Sequence, residues 1–255
     1  MVKIEKKVYS KRILAYIDIL GFKDLTCRSV NDKELFDIIQ KCLGKMNTYF
    51  ENDVVDRDFF NTCDFQCVQF SDTIVASIDS IDDKREVRVF FNKIMALILY
   101  LTYKGILSRG AIVYEYLYHN KDIIFGPGII EAYFREQTRV FFPRIIIDDK
   151  VVDLMDEILL DSYSSTDIDG VRYVDCMRGF WKFDCKKNRK YHNCIKAHLN
   201  KLYCVISNGV TSESLSVRQK YEWLRSKYNS YIDSLTSDAI NNIKSHKLFG
   251  DISKI

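Results

Sequence analysis

Hydrophobic and polar positions switch between two periods along this chain, and the switches mark out a series of elements. Residues 12–19 (RILAYIDI) form a nearly unbroken apolar run that reads as a buried strand, with Gly21 marking the turn behind it. Leu35, Ile38, Ile39, Cys42, Leu43, Met46 and Tyr49 then recur at helical spacing behind Asn31 or Asp32 as N-cap. The polar stretch 51–64 is a loop. Two short strands, 65–70 and 73–78, are separated only by Ser71-Asp72, a tight hairpin without the usual glycine. After an acidic turn at 79–83, Phe90, Ile94, Leu97, Ile98 and Leu101 place a helix over about 87–103, closed by Gly105. Residues 108–116 form the next strand, and the glycine-proline turn at 126–128 opens another helix. Residues 140–147 (VFFPRIII) read as a further strand. The order β-α-β-β-α-β is the ferredoxin-like split arrangement and predicts an α+β fold.

Beyond residue 150 the composition changes. Residues 148–169 hold eight acids and one base, whereas 178–201 hold eight bases and one acid. These read as two solvated surface segments that can face each other. Val217, Tyr221, Leu224, Tyr228, Tyr231 and Leu235 then recur at alternating four- and three-residue steps, a stripe for packing on the core or for a dimer contact. No internal repeat or low-complexity linker divides the chain. It reads as a single unit over 1–255, with a core at about 10–150 and a mixed α/β C-terminal elaboration over 151–255.

Composition narrows the class. Ten glycines and two prolines in 255 residues rule out collagen-like or linker-like sequence, and 47% hydrophobic residues suffice for a real core. The net charge of +3 offers no bulk attraction for a nucleic-acid polymer. The N-terminal apolar run 13–17 is interrupted by Asp18 with no small-residue cleavage site behind it, so no ordinary signal peptide is expected. The longest apolar run, 94–102, is far short of the roughly 20 residues that span a bilayer. The expectation is a cytoplasmic protein with no membrane contact and eight reduced cysteines.

Two cysteine patterns test for a structural metal. Cys63 and Cys67 have no second pair behind them, which does not fit a zinc ribbon. Cys185, His192, Cys194 and His198 are closer to a ligand set. However, Tyr191, Cys194, Ile195, His198, Leu199 and Leu202 share a helical stripe, which makes Cys194 and His198 core residues.

The chemistry lies in two aspartates. Asp18 sits near the end of the first strand, in AYIDILGF (15–22), and Asp72 at the tip of the hairpin, in VQFSDTIVAS (68–77). In a split βαβ sheet the first strand neighbours the hairpin strands, so two carboxylates 54 positions apart converge at one edge. Paired carboxylates on rigid strands suit two hard cations acting on a phosphoryl group. The turn at 19–22 offers backbone N–H groups to a triphosphate. An aspartate in a tight turn also satisfies nearby N–H groups, which is the structural alternative for Asp72. Asp18 is harder to explain that way, because an acid within an apolar strand costs free energy unless it is paired or liganded.

These motifs resemble class III nucleotide cyclases. AYIDILGF and QFSDTIVAS look like the paired metal-binding motifs of that family, and SRGAIVY (108–114) and FGPGIIEAYFRE (125–136) resemble its glycine-led strand and following helix. FPRIIID (142–148) and YEWL (221–224) look specifically like the bacterial pyrimidine nucleotide cyclases of Pycsar anti-phage defence. The resemblance implies a ferredoxin-like class III cyclase core in a homodimer, with Asp18, Ile19 (through its carbonyl) and Asp72 holding two divalent ions, Mn²⁺ or Mg²⁺. Leu20, Gly21 and Phe22 would give backbone N–H groups to the triphosphate, and Arg109 would contact a phosphate or the base. It also implies cyclisation of CTP or UTP to the 3′,5′-cyclic monophosphate, a second messenger read by a separate effector.

Departures from the pattern also inform. Where purine-specific relatives carry a base-reading lysine, this chain has Val68, which argues against ATP or GTP. Where they carry an asparagine and an arginine four apart on the helix after the glycine turn, this chain has Ile130 and Phe134. A one-residue shift gives Glu131 and Arg135. Arg135 and Arg139 are the candidates for the transition-state arginine. Two rival readings are a palm-type nucleotidyl transferase, which needs a basic template channel, and a catalytically degenerate cyclase domain acting as a nucleotide sensor.

Overall fold

In the computed structural model, residues 9–51, 64–79, 84–178, 189–241 and 253–255 are described. Strand β1 (Ser10–Ile19) leads through Gly21 into a short helix α1 (Phe22–Ser29), then into α2 (Lys33–Glu51). The hairpin is β2 (Phe65–Phe70) and β3 (Thr73–Asp79), followed by α3 (Lys84–Tyr103) and β4 (Ser108–His119). Strand β5 (Ile124–Phe125) precedes α4 (Pro127–Arg139) and β6 (Ile145–Ile147). Then come α5 (Asp149–Val152), α6 (Glu157–Tyr163), β7 (Ser164–Thr166), β8 (Arg172–Val174), α7 (Arg189–Gly209) and α8 (Leu215–Asn241).

The sheet runs β2-β3-β1-β4-β6-β8-β7, with β5 paired to β4. Strand β1 lies antiparallel between β3 and β4, and β6 joins β4 in parallel. The first four strands therefore take the split βαβ order expected from the sequence, inside a mixed α/β fold. Local signals act as anticipated at several joints. Asp32 caps α2 by accepting the Leu35 N–H at 3.0 Å. Past α3, the Gly105 N–H reaches the Thr102 carbonyl and the Ile106 N–H the Leu101 carbonyl, both at 2.9 Å, which closes the helix in a Schellman motif.

Alternation along β1 sorts the two faces. Ile13, Ala15, Ile17 and Ile19 enter the large hydrophobic cluster with α2, α3 and the C-terminal helices. Leu199, Leu202 and Ile206 from α7, with Leu224, Tyr228, Tyr231 and Ile232 from α8, belong to that same cluster. The late aromatic stripe thus packs inward, although Val217 at its start is exposed and the Leu235 side chain lies outside the described residues. On the opposite face Leu14, Val75, Val113, Leu117 and Ala132 form a much smaller cluster beneath α4. Asp18 follows Leu14 and Tyr16 in the alternation and so falls on this thinly covered face.

Three expectations change. The strand expected over 140–147 is reduced to β6, because Pro143 has no N–H for a ladder and the Arg144 N–H turns back to the Phe142 carbonyl at 2.8 Å. A short helix, α1, follows Gly21 where only a turn was expected. The acidic segment 148–169 is not uniformly solvated, since Asp148 and Asp167 are both buried. Asp167 ion-pairs with buried Arg144 and accepts from Trp223 Nε1 and Lys227 Nζ, each at 2.7 Å, while Asp169 pairs with the same arginine. Phe142 stacks on Trp223 at 5.5 Å and an interplanar angle of 11°. The FPRIIID and YEWL motifs are thereby joined in one closed knot around Asp167. Among the described residues a charge pair links the acidic and basic segments, Arg178 to Asp161 at 3.9 Å.

His198 is buried with Nε2 2.9 Å from Thr102 Oγ1, the core histidine that its helical stripe indicated, and burial pushes it down to about 4. Cys63 and Cys185 lie outside the described residues, as do the side chains of His192 and Cys194. A second buried histidine, His119, closes a network at the far end of β1 from Asp18. Its Nδ1 is 2.7 Å from Ser77 Oγ, which accepts from Arg12 Nε at 2.9 Å. Burial, then the neighbouring Arg12 charge, push His119 down to about 4.

Candidate active site

The register of three strands builds the site. Asp18 pairs with Thr73 of β3 on one side and with Arg109 of β4 on the other. Asp72 is the residue before Thr73, and its carbonyl accepts the Ile19 N–H at 3.2 Å. The two aspartates therefore meet at one end of the sheet, as the split βαβ topology requires. Gly110 sets how close β4 lies, because a Cβ there would stand 2.2 Å from the Tyr16 carbonyl oxygen. Any larger residue would force β4 away from β1 just beside Asp18.

Around the Asp18 carboxylate, Oδ1 accepts from Thr73 Oγ1 and Oδ2 from Arg109 Nε, both at 3.4 Å. A third acid closes the group. Glu136 of α4 is fully buried, and its Oε1 lies 2.7 Å from the same Arg109 Nε. One guanidinium therefore faces two carboxylates, and Asp72 adds a third negative charge beside Asp18. Burial, then the charges of Asp72 and Glu136, raise Asp18 to about 6 despite the opposing pull of Arg109. Excess negative charge on rigid strands is what a divalent cation relieves, so the oxygen donors of Asp18 and Asp72 fit hard cations. Among the described residues no three His, Cys, Asp or Glu side chains gather as a metal cluster. The coordination would have to be completed by main-chain carbonyl, substrate phosphate and water.

Gly21 adopts a left-handed conformation (φ 74°, ψ 20°) that L side chains rarely take, and it caps α1 without a side-chain partner. The N–H groups of Gly21 and Phe22 stand at the helix start, where no intrahelical carbonyl reaches them. Leu20 differs. Its N–H donates to the Leu107 carbonyl at 2.8 Å, so it is bound into the sheet rather than offered to a phosphate.

Helix α4 carries the remaining candidates. Arg135 Nε donates to Glu131 Oε1 at 2.6 Å, and its terminal amino group pairs with Asp148. The structure thus engages Arg135 with α4 and the end of β6, not with the aspartates. Ile130 and Phe134 are exposed, as is Arg139. Val68 lies on β2 opposite Val75 and packs against the small cluster on the Asp18 face. Sequence reasoning passed over Glu136. Its signal was the stripe Gly128, Ala132 and Glu136, the three buried positions of α4 at four-residue steps, with an acid at the third.

No protein-family model and no curated protein matches the chain. Among solved structures it is similar to the guanylyl cyclase Cya2, with 11% identity over 66% of this chain and 92% of that one, at a TM-score of 0.41. It is also similar to the catalytic core of a rhodopsin-guanylyl cyclase with converted specificity in complex with ATPαS. That match has 13% identity, covers 65% and 95% of the two chains and has a TM-score of 0.43. A class III adenylyl cyclase-like ATP-binding protein from Pseudomonas aeruginosa matches with 16% identity over 60% of this chain and 36% of that one, at a TM-score of 0.41.

Proposed function

We propose that this chain is a nucleotide cyclase that converts CTP or UTP into the 3′,5′-cyclic monophosphate and pyrophosphate, acting as a homodimer with two Mn²⁺ or Mg²⁺ ions. The observation that carries the reading is the convergence of Asp18 and Asp72 at one sheet end, beside the open start of α1 and Arg109. Asp18 and Asp72, with the Ile19 carbonyl, would hold the ions. When bound, the ions lower the pKa of the ribose 3′-hydroxyl and neutralise the departing pyrophosphate. Gly21 and Phe22 N–H groups orient the triphosphate at the helix start. Arg109 contributes fixed positive charge beside the α-phosphate. The 3′-oxygen bonds to the α-phosphorus as the bond to the pyrophosphate oxygen breaks, and the hydroxyl proton leaves to water.

Val68 supports the pyrimidine preference, since an apolar side chain replaces the base-reading lysine of the purine enzymes. The resemblance to Pycsar cyclases supports an antiviral role for the product through a separate cyclic-nucleotide-binding effector. No helix among the described residues is long and apolar enough to cross a membrane. The deciding assay presents ATP, GTP, CTP and UTP with Mn²⁺ or Mg²⁺. Turnover of CTP or UTP well above ATP and GTP is expected, and equal turnover of all four would falsify the pyrimidine assignment. Primer extension would favour the polymerase-type rival. Triphosphate binding without turnover would favour the sensor.

A further inference from the structure

Glu136 is the one acid on the inward stripe of α4. Gly128 and Ala132 precede it on that stripe. A Cβ at Gly128 would lie 3.3 Å from the Tyr116 carbonyl, so small residues let the helix lie close to β4. That proximity carries Glu136 to full burial, where an unpaired carboxylate is costly. Its Oε2 accepts from Gln137 Nε2 at 2.6 Å, whereas Oε1 has no hydrogen-bond partner and rests 2.7 Å from Arg109 Nε. The cationic Arg109 head is its compensation.

The arginine is consequently held by one corner. Nε touches Glu136 and donates to Asp18, while the two terminal amino groups have no partner among the described residues. The Arg109 side chain keeps about a quarter of its surface open, at 24%. A guanidinium fixed through Nε presents its remaining N–H groups as a fork, the geometry suited to phosphate oxygens. Lys220 of α8 is a second cation nearby, held below its ordinary value by burial and then by the Arg109 charge, and its ammonium lies 5.3 Å from the centre of the Phe141 ring.

We propose that Glu136 is a positioning residue, anchoring Arg109 through Nε so that its terminal amino groups face outward and grip a phosphate of the substrate beside Asp18. This rests on the reading of the site as a triphosphate site, but its test does not need turnover. The probe is inorganic triphosphate with Mg²⁺, titrated by calorimetry into the folded wild type, Arg109→Ala, Glu136→Gln and the double variant. Arg109→Ala and Glu136→Gln should each weaken binding about tenfold, and the double variant should be no weaker than Arg109→Ala, because both changes remove one aimed fork. Thermal unfolding supplies a second reading. Arg109→Ala strands a buried carboxylate and should lower Tm, and adding Glu136→Gln should restore it in part. Additive losses of affinity, wild-type affinity in Glu136→Gln, or no triphosphate binding by the wild type would overturn the proposal. Non-additive binding losses in a protein that turns over no nucleoside triphosphate would instead overturn the cyclase reading and leave the role of Glu136 standing.

Discussion

Two charge clusters in this molecule, each set around an arginine, have opposite characters. At the sheet end, Asp18 and Glu136 flank one arginine whose terminal amino groups have no partner among the described residues, and Asp72 adds its charge beside Asp18. In the C-terminal knot, Asp167 and Asp169 face Arg144 and Lys227, and Asp167 also accepts the Trp223 indole N–H. The first cluster has an acid surplus and open donors. The second is balanced, although Arg144 Nε is left without a hydrogen-bond partner. Their carboxylates record the difference. Burial, Asp72 and Glu136 raise Asp18 to about 6, whereas at Asp167 the effect of burial is overcome by hydrogen bonds from Lys227, Trp223 and the Ile168 N–H, which hold it at about 2. A cluster that lacks positive charge is poised to take a cation; one that has it already serves to join parts of the fold.

Removing the hairpin-tip acid of the first cluster should affect chemistry, not folding. Asp72→Ala should cut turnover by on the order of 10⁴-fold, the several kcal/mol that metal charge stabilisation supplies. Circular dichroism and Tm should stay near wild type, because Asp72 sits partly exposed at a hairpin tip. Activity surviving this change would remove the two-metal assignment.

Breaking the second should do the reverse. Asp167→Ala leaves Arg144, with a side chain only 2% exposed, short of its buried partner, with only the exposed Asp169 remaining. Stability measured by urea titration should fall by about 3–5 kcal/mol, as for other buried pairs that lose one member. Turnover per folded molecule should change little under conditions where the variant is folded. A large kcat loss in fully folded Asp167→Ala would show that the knot also shapes the site.

The two clusters were unequally legible in the sequence, for a physical reason. Asp18 stood out because an acid in an apolar strand breaks the local pattern, and Asp72, an ordinary turn residue by itself, joined it because the β-α-β-β-α-β order brings the two together. Asp167 broke no pattern. It lies in a run of acids that reads as solvated surface, and its partners Arg144, Trp223 and Lys227 come from distant parts of the chain. Glu136 was hidden similarly, since a charged residue on an amphipathic helix ordinarily faces water. Burial of charge depends on tertiary partners, and no local period encodes them. Leu20 is the converse case: the glycine turn was legible, but the Leu107 carbonyl that takes the Leu20 N–H was not.

The opposite pKa shifts allow a sharper contrast. Asp18 binds its proton more tightly folded, at about 6, than at its ordinary 3.8, so the fold loses stability as pH rises from about 4 to about 6. Asn mimics the protonated form. Asp18→Asn should match the wild type near pH 4 and exceed it by about 2–3 kcal/mol at pH 7. Asp167 runs the other way, contributing stability above its ordinary 3.8 that is lost as pH falls towards 2. His119 and His198, held near 4 instead of 6.5, cost the fold stability as pH falls from 6.5 towards 4 in both proteins and cancel from the difference. A gap between variant and wild type that stays constant from pH 4 to 7 would contradict the acid surplus at Asp18.

The smallest effect tests how closed the knot is. Trp223→Phe keeps a ring to stack on Phe142 but removes the Nε1–H that donates to Asp167 at 2.7 Å. Arg144 and Lys227 remain on the same carboxylate, so the charge stays compensated and only one donor is lost. A hydrogen bond to a charged group contributes about 1.5–3 kcal/mol, and the surviving partners should hold the cost to the lower end, about 1–2 kcal/mol in urea titration. Adding Trp223→Phe to Asp167→Ala should cost still less, because the acceptor is already gone. Equal costs in the two backgrounds would mean that Trp223 acts through its stacking alone, and that the link between FPRIIID and YEWL is aromatic, not electrostatic.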